Sequence, residues 1–295
     1  MHMRLLLLGG GSAPLRQSLI RQGAEEGINF LAPRPPEGGW DASSLTQLLD
    51  DIRPDVVVNL AYYFDWFQSE SVADERFAFQ QRAVERLAGL CSHLGAILLQ
   101  PSSYRVFDGA RATAYSEKDE LSPGGRRGKA LLQIEQGVRA VCSKHVLLRF
   151  GWLLDDSPGG ALDRFLRRAG EVTELSLADD RRGNPTVVDD AARVMLAVLK
   201  QLDCQSPLWG TYHYGGHEAT TSLLLAESIL LEARTLCAIK VERVLPQAHA
   251  ERPDAADEPQ YAVLACKKIL NTFGVKPRAW RNGLHGLIER YYRHI

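Results

Sequence analysis

The stretch Arg53-Pro54-Asp55-Val56-Val57-Val58-Asn59-Leu60-Ala61 decides how the rest of the chain reads. Its centre is a β-branched run without polar alternation, the pattern of a strand buried on both faces, and such strands occur in parallel sheets covered by helices. Strands and helices alternate outward from it. On the N-terminal side, Met3 to Leu8 is an apolar run closed by Gly9-Gly10-Gly11, followed by a helical stretch at Leu15 to Ile20 and a short strand at Asn29 to Ala32. A Pro-rich turn from Pro33 to Gly39 leads to a helix that Asp41 or Ser43 caps and Pro54 stops. On the C-terminal side come a helix to about Leu94, a strand at Ala96 to Gln100, a helix at Lys129 to Lys144 and a strand at His145 to Phe150. Parallel strands need crossover connections, so residues 1–150 read as an α/β, Rossmann-type doubly wound domain.

After Gly151 the pattern loosens. Helices are expected at Leu162 to Ala169, Asp189 to Leu202, Leu223 to Leu236 and Trp280 to Tyr292, with strands near Leu175 and at Gly210 to Tyr214. Residues 151–295 therefore read as a smaller α/β substrate-binding region, partly interleaved with the first, with a cleft at the carboxyl ends of the strands. Tyr63-Phe64-Asp65-Trp66-Phe67 reads as an aromatic loop, either packed beneath the second region or exposed as a partner surface.

Composition narrows the function. The chain has 295 residues, 45% of them hydrophobic, with 35 Lys and Arg against 36 Asp and Glu. It has enough apolar content for a sizeable core and no broad basic face for nucleic acid. Five cysteines without a C-x-x-C pair read as reduced thiols. The Leu5 to Leu8 run is too short for a signal peptide or a membrane span, so a cytoplasmic location is expected. No metal-ligand spacing occurs, and no metal is expected.

Several motifs carry a resemblance. Arg53 to Ala61 is similar to an R-P-D-x-[IV]-[IV]-N-x-A segment, and Ser102-Ser103-Tyr104-Arg105-Val106-Phe107-Asp108-Gly109 to S-T-D-Y-V-F-x-G. Arg149 and Trp152 match R-x-x-W, and Asp179 to Thr186 matches D-Q-x-G-x-P-T. With Leu264, Lys268, Pro277, Trp280 and Gly283 near the end, the chain resembles, almost end to end, the dTDP-4-dehydrorhamnose reductase family of the extended short-chain dehydrogenase/reductases. The resemblance implies NADPH or NADH in the first domain and a nucleotide-activated 4-keto sugar in the cleft, reduced to an alcohol. A tyrosine would supply the proton, a lysine four residues later would lower its pKa, and a hydroxyl would orient the carbonyl.

The chemical residues depart from that pattern. Arg127 stands where the tyrosine belongs and Leu131 where the lysine belongs, and none of the nine tyrosines is followed four residues later by lysine. Arginine is a poor proton donor near neutral pH. The G-x-x-G-x-x-G turn is Gly9, Ser12 and Leu15 at its matching positions, and a Leu15 side chain is expected to crowd the helix against strand or cofactor. Gln80 replaces an Asn, Arg181 a Gln, and Glu258 the Arg of an Arg-Pro pair.

What remains defines the expected sites. The resemblance places NADP or NAD, with NADP slightly preferred through Arg34, against Gly9, Gly10, Gly11, Ser12, Arg34, Asp41, Leu60, Ala61 and Tyr62. Ser103 is the catalytic remnant and Tyr104 a candidate donor, with Tyr62 and Tyr63 as others; Arg105, Arg126, Arg127, Trp152, Asn184 and Thr186 are the candidate substrate contacts. Two functions stay open: a catalytically degenerate protein that binds a nucleotide, a sugar nucleotide or a protein partner, and an active reductase with a relocated proton donor. Family members also suggest a homodimer.

Overall fold

The computed structural model describes residues 3–9, 11, 13–67, 69, 72–202 and 208–293; Gly10, Ser12 and Cys204 lie outside the described residues. The first half runs β1 (Leu5–Gly9), α1 (Pro14–Glu25), β2 (Phe30–Leu31), α2 (Ala42–Ile52), β3 (Val56–Leu60), α3 (Tyr63–Phe67), α4 (Asp74–Leu94), β4 (Ile97–Ser103), α5 (Arg126–Val141) and β5 (His145–Phe150). The second half continues with β6 (Trp152–Leu154), α6 (Ala161–Glu171), β7 (Glu174–Ala178), β8 (Arg182–Gly183), β9 (Pro185–Val187), α7 (Val188–Leu202) and β10 (Gly210–Tyr214). It closes with β11 (Thr220–Thr221), α8 (Ser222–Ala233), β12 (Arg243–Gln247), β13 (Tyr261–Ala262), α9 (Lys267–Phe273) and α10 (Arg281–Arg293).

The central sheet has six strands in the order β2-β1-β3-β4-β5-β10, every neighbouring pair parallel. Leu6 to Leu8 and Val56 to Val58 are wholly buried, as a sheet covered on both faces requires. Burying each such side chain is worth about 1.5–3 kcal/mol. Helices α4 and α5 pack together over one face, α2 against α4, while α1 and α7 pack together on the other. The fold is thus the expected α/β Rossmann-type architecture.

The two halves are interleaved. Strand β10 from the second half completes the central sheet beside β5, and α7 packs on α1. The remaining strands form small sheets, β12 with β7, β6 with β9, and β11 and β13 on either side of β8. Helices α6 and α8 build a second, minor core from Ala169, Leu230 and Val241, separate from the main one.

Two local expectations change. The aromatic segment after β3 is a short helix, not a loop; Tyr63, Trp66 and Phe67 are buried and only Phe64 is exposed. The helix expected from Lys129 begins at Arg126 and stops at Val141. Its N-cap is Gly125, which has no side chain to announce the start.

Candidate functional site

The chain leaves β1 toward one edge, forms β2, and returns to place β3 on the other side of β1. This switch point opens a crevice beyond the carboxyl ends of β1 and β3, where open α/β sheets bind ligands. Gly9 ends β1 with φ +70°, and a Cβ there would lie 2.1 Å from the Ala61 Cα, so only glycine lets the two strand ends close. Helix α1 starts with Pro14 in its first turn and has no side chain capping it at Ala13. Arg16 donates to the carbonyls of Gly11 (3.3 Å) and Ala32 (3.0 Å), bracing the turn against the end of β2.

The other expected crevice residues have mixed fates. Gly11 is exposed with φ +47°, and Arg34 lies exposed in the irregular segment after β2. Asp41 accepts the Ser44 N–H at 2.8 Å and so caps α2. The Leu60 side chain is in the core, leaving only its backbone to face a ligand, and the Tyr62 hydroxyl donates to the Trp40 carbonyl at 2.9 Å. Leu15 is fully buried in the core, where α1 turns that position toward the sheet.

The second site is a cavity of about 760 Å³ between the halves, lined by residues of α5, β6, α6, β7 and α8 and by the loop before β13. Its polar end is organised by Glu258. One carboxylate oxygen accepts from Arg105 Nε at 2.7 Å, the other from Arg181 (2.8 Å) and the Tyr104 hydroxyl (2.7 Å), with Arg127 at 3.6 Å. Burial pushes the Glu258 carboxyl up, but Arg105 and Arg181 outweigh it and hold the pKa at about 2. Burial pushes the Tyr104 hydroxyl up to about 12. Arg127 is lowered, first by burial and then by the nearby Arg105 charge. The Arg181 guanidinium carbon lies over the Trp152 ring, 4.9 Å from its centroid.

Of the expected cleft residues, Tyr104, Arg105, Arg126, Arg127 and Trp152 line this cavity. Arg126 sits at the rim, paired with Asp74, and Arg127 also donates to the Ser69 carbonyl. Ser103, Asn184 and Thr186 do not line this cavity. Asn184 uses its amide on the Gly216 carbonyl (3.1 Å) and the Leu264 N–H (2.7 Å), Thr186 is buried, and Ser103 is buried at the turn that follows β4. Gln80 is structural too, accepting from Trp66 Nε1 at 2.6 Å.

All three candidate donor hydroxyls are engaged: Tyr104 with Glu258, Tyr62 with Trp40, and Tyr63 with the buried Asp155. Leu131, at the lysine position, is fully buried in the core. The residues that organise the cleft but were not expected as contacts are Arg181, Glu258 and the apolar wall of α6, β7 and α8. The unusual Arg and Glu at family Gln and Arg positions were the available signal for the first two. Nothing in the sequence separates cavity wall from core in the third.

A family model described as the RmlD substrate binding domain matches residues 3–293. A dTDP-4-dehydrorhamnose reductase of Sinorhizobium fredii is 28% identical over 250 residues, covering 83% of each chain. Among solved structures, a dTDP-4-dehydrorhamnose reductase of Clostridium acetobutylicum superposes with a TM-score of 0.83 at 23% identity, covering 98% of this chain and 100% of that one. The Bacillus anthracis dTDP-4-dehydrorhamnose reductase in complex with NADP gives 0.80 at 24% identity, over 98% and 99%.

Proposed function

We propose, for a chain that belongs to the RmlD substrate binding domain family, a binding protein that keeps the family's nucleotide crevice and has lost its reductase chemistry. The observation that carries this reading is the state of the proton donor. Arg127 and Leu131 occupy the acid and lysine positions, and each tyrosine that might replace the acid has given its hydroxyl to another group. Tyr104 is the nearest to the cleft, yet a phenol raised to about 12 and bonded to a carboxylate holds its proton too firmly for general acid catalysis.

The crevice fits a dinucleotide better than the cleft fits its chemistry. The tight approach of Gly9 to Ala61 and the uncapped start of α1 suit a pyrophosphate. NADP is the preferred dinucleotide, because Arg34 and Arg16 both stand beside the end of β2, where a 2′-phosphate is met in such folds. A bound nicotinamide would supply hydride; the chain's residues would hold the pyrophosphate and adenosine without delivering the matching proton. Among the described residues no helix is long and apolar enough to cross a membrane.

The test is titration with NADPH and NADH, followed by fluorescence and calorimetry, and an assay of NADPH oxidation with a dTDP-4-keto-hexose. Micromolar binding, weakened by Arg34→Glu for NADPH alone and without turnover, is expected. Substrate-dependent oxidation by the wild-type protein would overturn the reading and restore the active reductase with a relocated donor.

A further inference from the structure

We propose that the cleft takes an amphipathic anion, with its phosphate or carboxylate on Arg105 and Arg181 and its apolar body between α6, β7 and α8, in place of a polyhydroxylated sugar. This rests on the reading above, a cleft that binds without reducing, and names what it binds.

The cavity has two chemically distinct ends. At the polar end two guanidinium groups converge on one carboxylate, Glu258, whose side chain is only 11% exposed. Seven of the described lining residues are arginines and three are Asp or Glu, so the wall as a whole favours an anion. Arg181 lies 4.9 Å from the Trp152 ring centroid, and Arg105 5.0 Å from that of Tyr104, cation–π contacts that restrict both side chains. Such planar, pre-positioned donors suit two-point binding of a phosphate or carboxylate. Glu258 already shows what an anion does there, and a ligand anion takes over its donors.

The other end is apolar. Leu154, Leu162, Phe165, Leu175, Leu225 and Ile229 line it. It lies where the main core and the minor core of Ala169, Leu230 and Val241 do not meet, with Phe165 packed against both. Protein interiors close such gaps with side chains, and an open one lined by Leu, Ile and Phe is a receptacle for an apolar group. The described lining includes no Asn, Gln, Thr or His. Neutral hydroxyls come only from Ser69, Ser222 and Tyr104, and Tyr104 is committed to Glu258. A sugar ring seated among these leucines would bury hydroxyl groups without partners, which is unfavourable, whereas an alkyl or acyl chain gains from the same burial.

The experiment is calorimetric titration of the full-length protein with decyl phosphate, decanoate, decanol, inorganic phosphate and a dTDP-hexose, all below micellar concentrations. Decyl phosphate or decanoate is expected to bind at least roughly tenfold more tightly than inorganic phosphate, decanol or the dTDP-hexose. The ratio of the two anions distinguishes a phosphate from a carboxylate ligand. Ala226→Trp, which fills the apolar end, should weaken the decyl anions at least roughly tenfold and leave NADPH binding at the β1–β3 crevice unchanged. Glu258→Gln should strengthen the decyl anions and leave decanol unaffected, an outcome that general loosening of the fold does not produce. Should Ala226→Trp fail to fold, Ile229→Trp is the second variant at the same wall. Tighter binding of the dTDP-hexose than of either decyl anion, or decyl binding indifferent to the filled wall, overturns the inference. Absence of decyl binding without turnover defeats this inference alone, whereas turnover of a 4-keto sugar nucleotide defeats the functional reading beneath it.

Discussion

Two buried arginine–glutamate clusters lie beside α5, and they do different things. Under the middle of α5, Glu135 accepts from Arg149 Nε (2.8 Å), from Ser102 (2.6 Å) and from Arg139, while Arg149 also meets His213 at 3.2 Å and lies over the Phe107 ring. These groups join α5 to β4, β5 and β10, and Glu135 and Arg149 are at most 1% exposed. Near the start of α5, Glu258 gathers the adjacent Tyr104 and Arg105 and the distant Arg181 on the wall of an open cavity. The residue types match; the surroundings do not. A matched pair inside a closed core can only hold elements together, because any competitor would have to enter the core. The same pair on a cavity wall can exchange its internal carboxylate for a ligand's.

The largest effect is expected from Glu135→Gln, which leaves Arg149 buried without its counter-charge and should cost about 3–5 kcal/mol in urea unfolding. A loss below about 1 kcal/mol would mean that the core cluster is as dispensable as a surface pair.

Next comes acid. Burial, and then the Arg149 charge, lower His213 to about 3 from an ordinary 6.5. The unfolded chain therefore takes up a proton that the folded one refuses, so stability falls as pH drops from 6.5 toward 3, by up to ~4 kcal/mol. Glu258, held at about 2 from an ordinary 4.5, contributes stability that is complete above 4.5 and lost as pH falls through about 2. Urea unfolding between pH 7 and 3 should be less pH-dependent in His213→Asn; an unchanged slope would remove His213 from the core network.

A smaller change is expected for Glu258→Gln, about 1–3 kcal/mol, since the cavity lets water or an anion reach the two arginines it abandons. Added decyl phosphate should recover part of that loss in the thermal unfolding midpoint. Equal losses at Glu135 and Glu258, with no recovery, would erase the distinction between the two clusters. Tyr104→Phe should have the smallest effect, about 0.5–1.5 kcal/mol, because Glu258 and Arg181 still bond each other when the hydroxyl's bonds to both are lost.

Legibility followed the range of the interaction. Val56 to Val58, wholly buried, announced the central sheet because a strand covered on both faces is apolar in every residue. Asp41 announced α2 because capping acts over three residues. The start of α5 was misplaced because Gly125 caps without a side chain, and the helix at Tyr63–Phe67 because five residues are too few for a period to show. Asn184 and Thr186 matched a motif of the cleft, yet they lie off its cavity, the asparagine spent on backbone groups of Gly216 and Leu264. The meeting of Glu258 with Tyr104, Arg105 and Arg181 spans 154, 153 and 77 residues, and no local pattern encodes it.

By itself the sequence determined the alternation of strands and helices, the family resemblance and the absence of the Tyr-x-x-x-Lys pair, all of which are written in neighbouring residues or fixed spacings. Tertiary structure alone decided what replaces that chemistry: which arginines share Glu258, which tyrosine hydroxyls are already taken, and which leucines face a cavity instead of a core. The physical reason is that identity and periodicity are properties of the chain. Charge pairing, desolvation and unfilled volume arise only when the fold brings distant residues to a common wall.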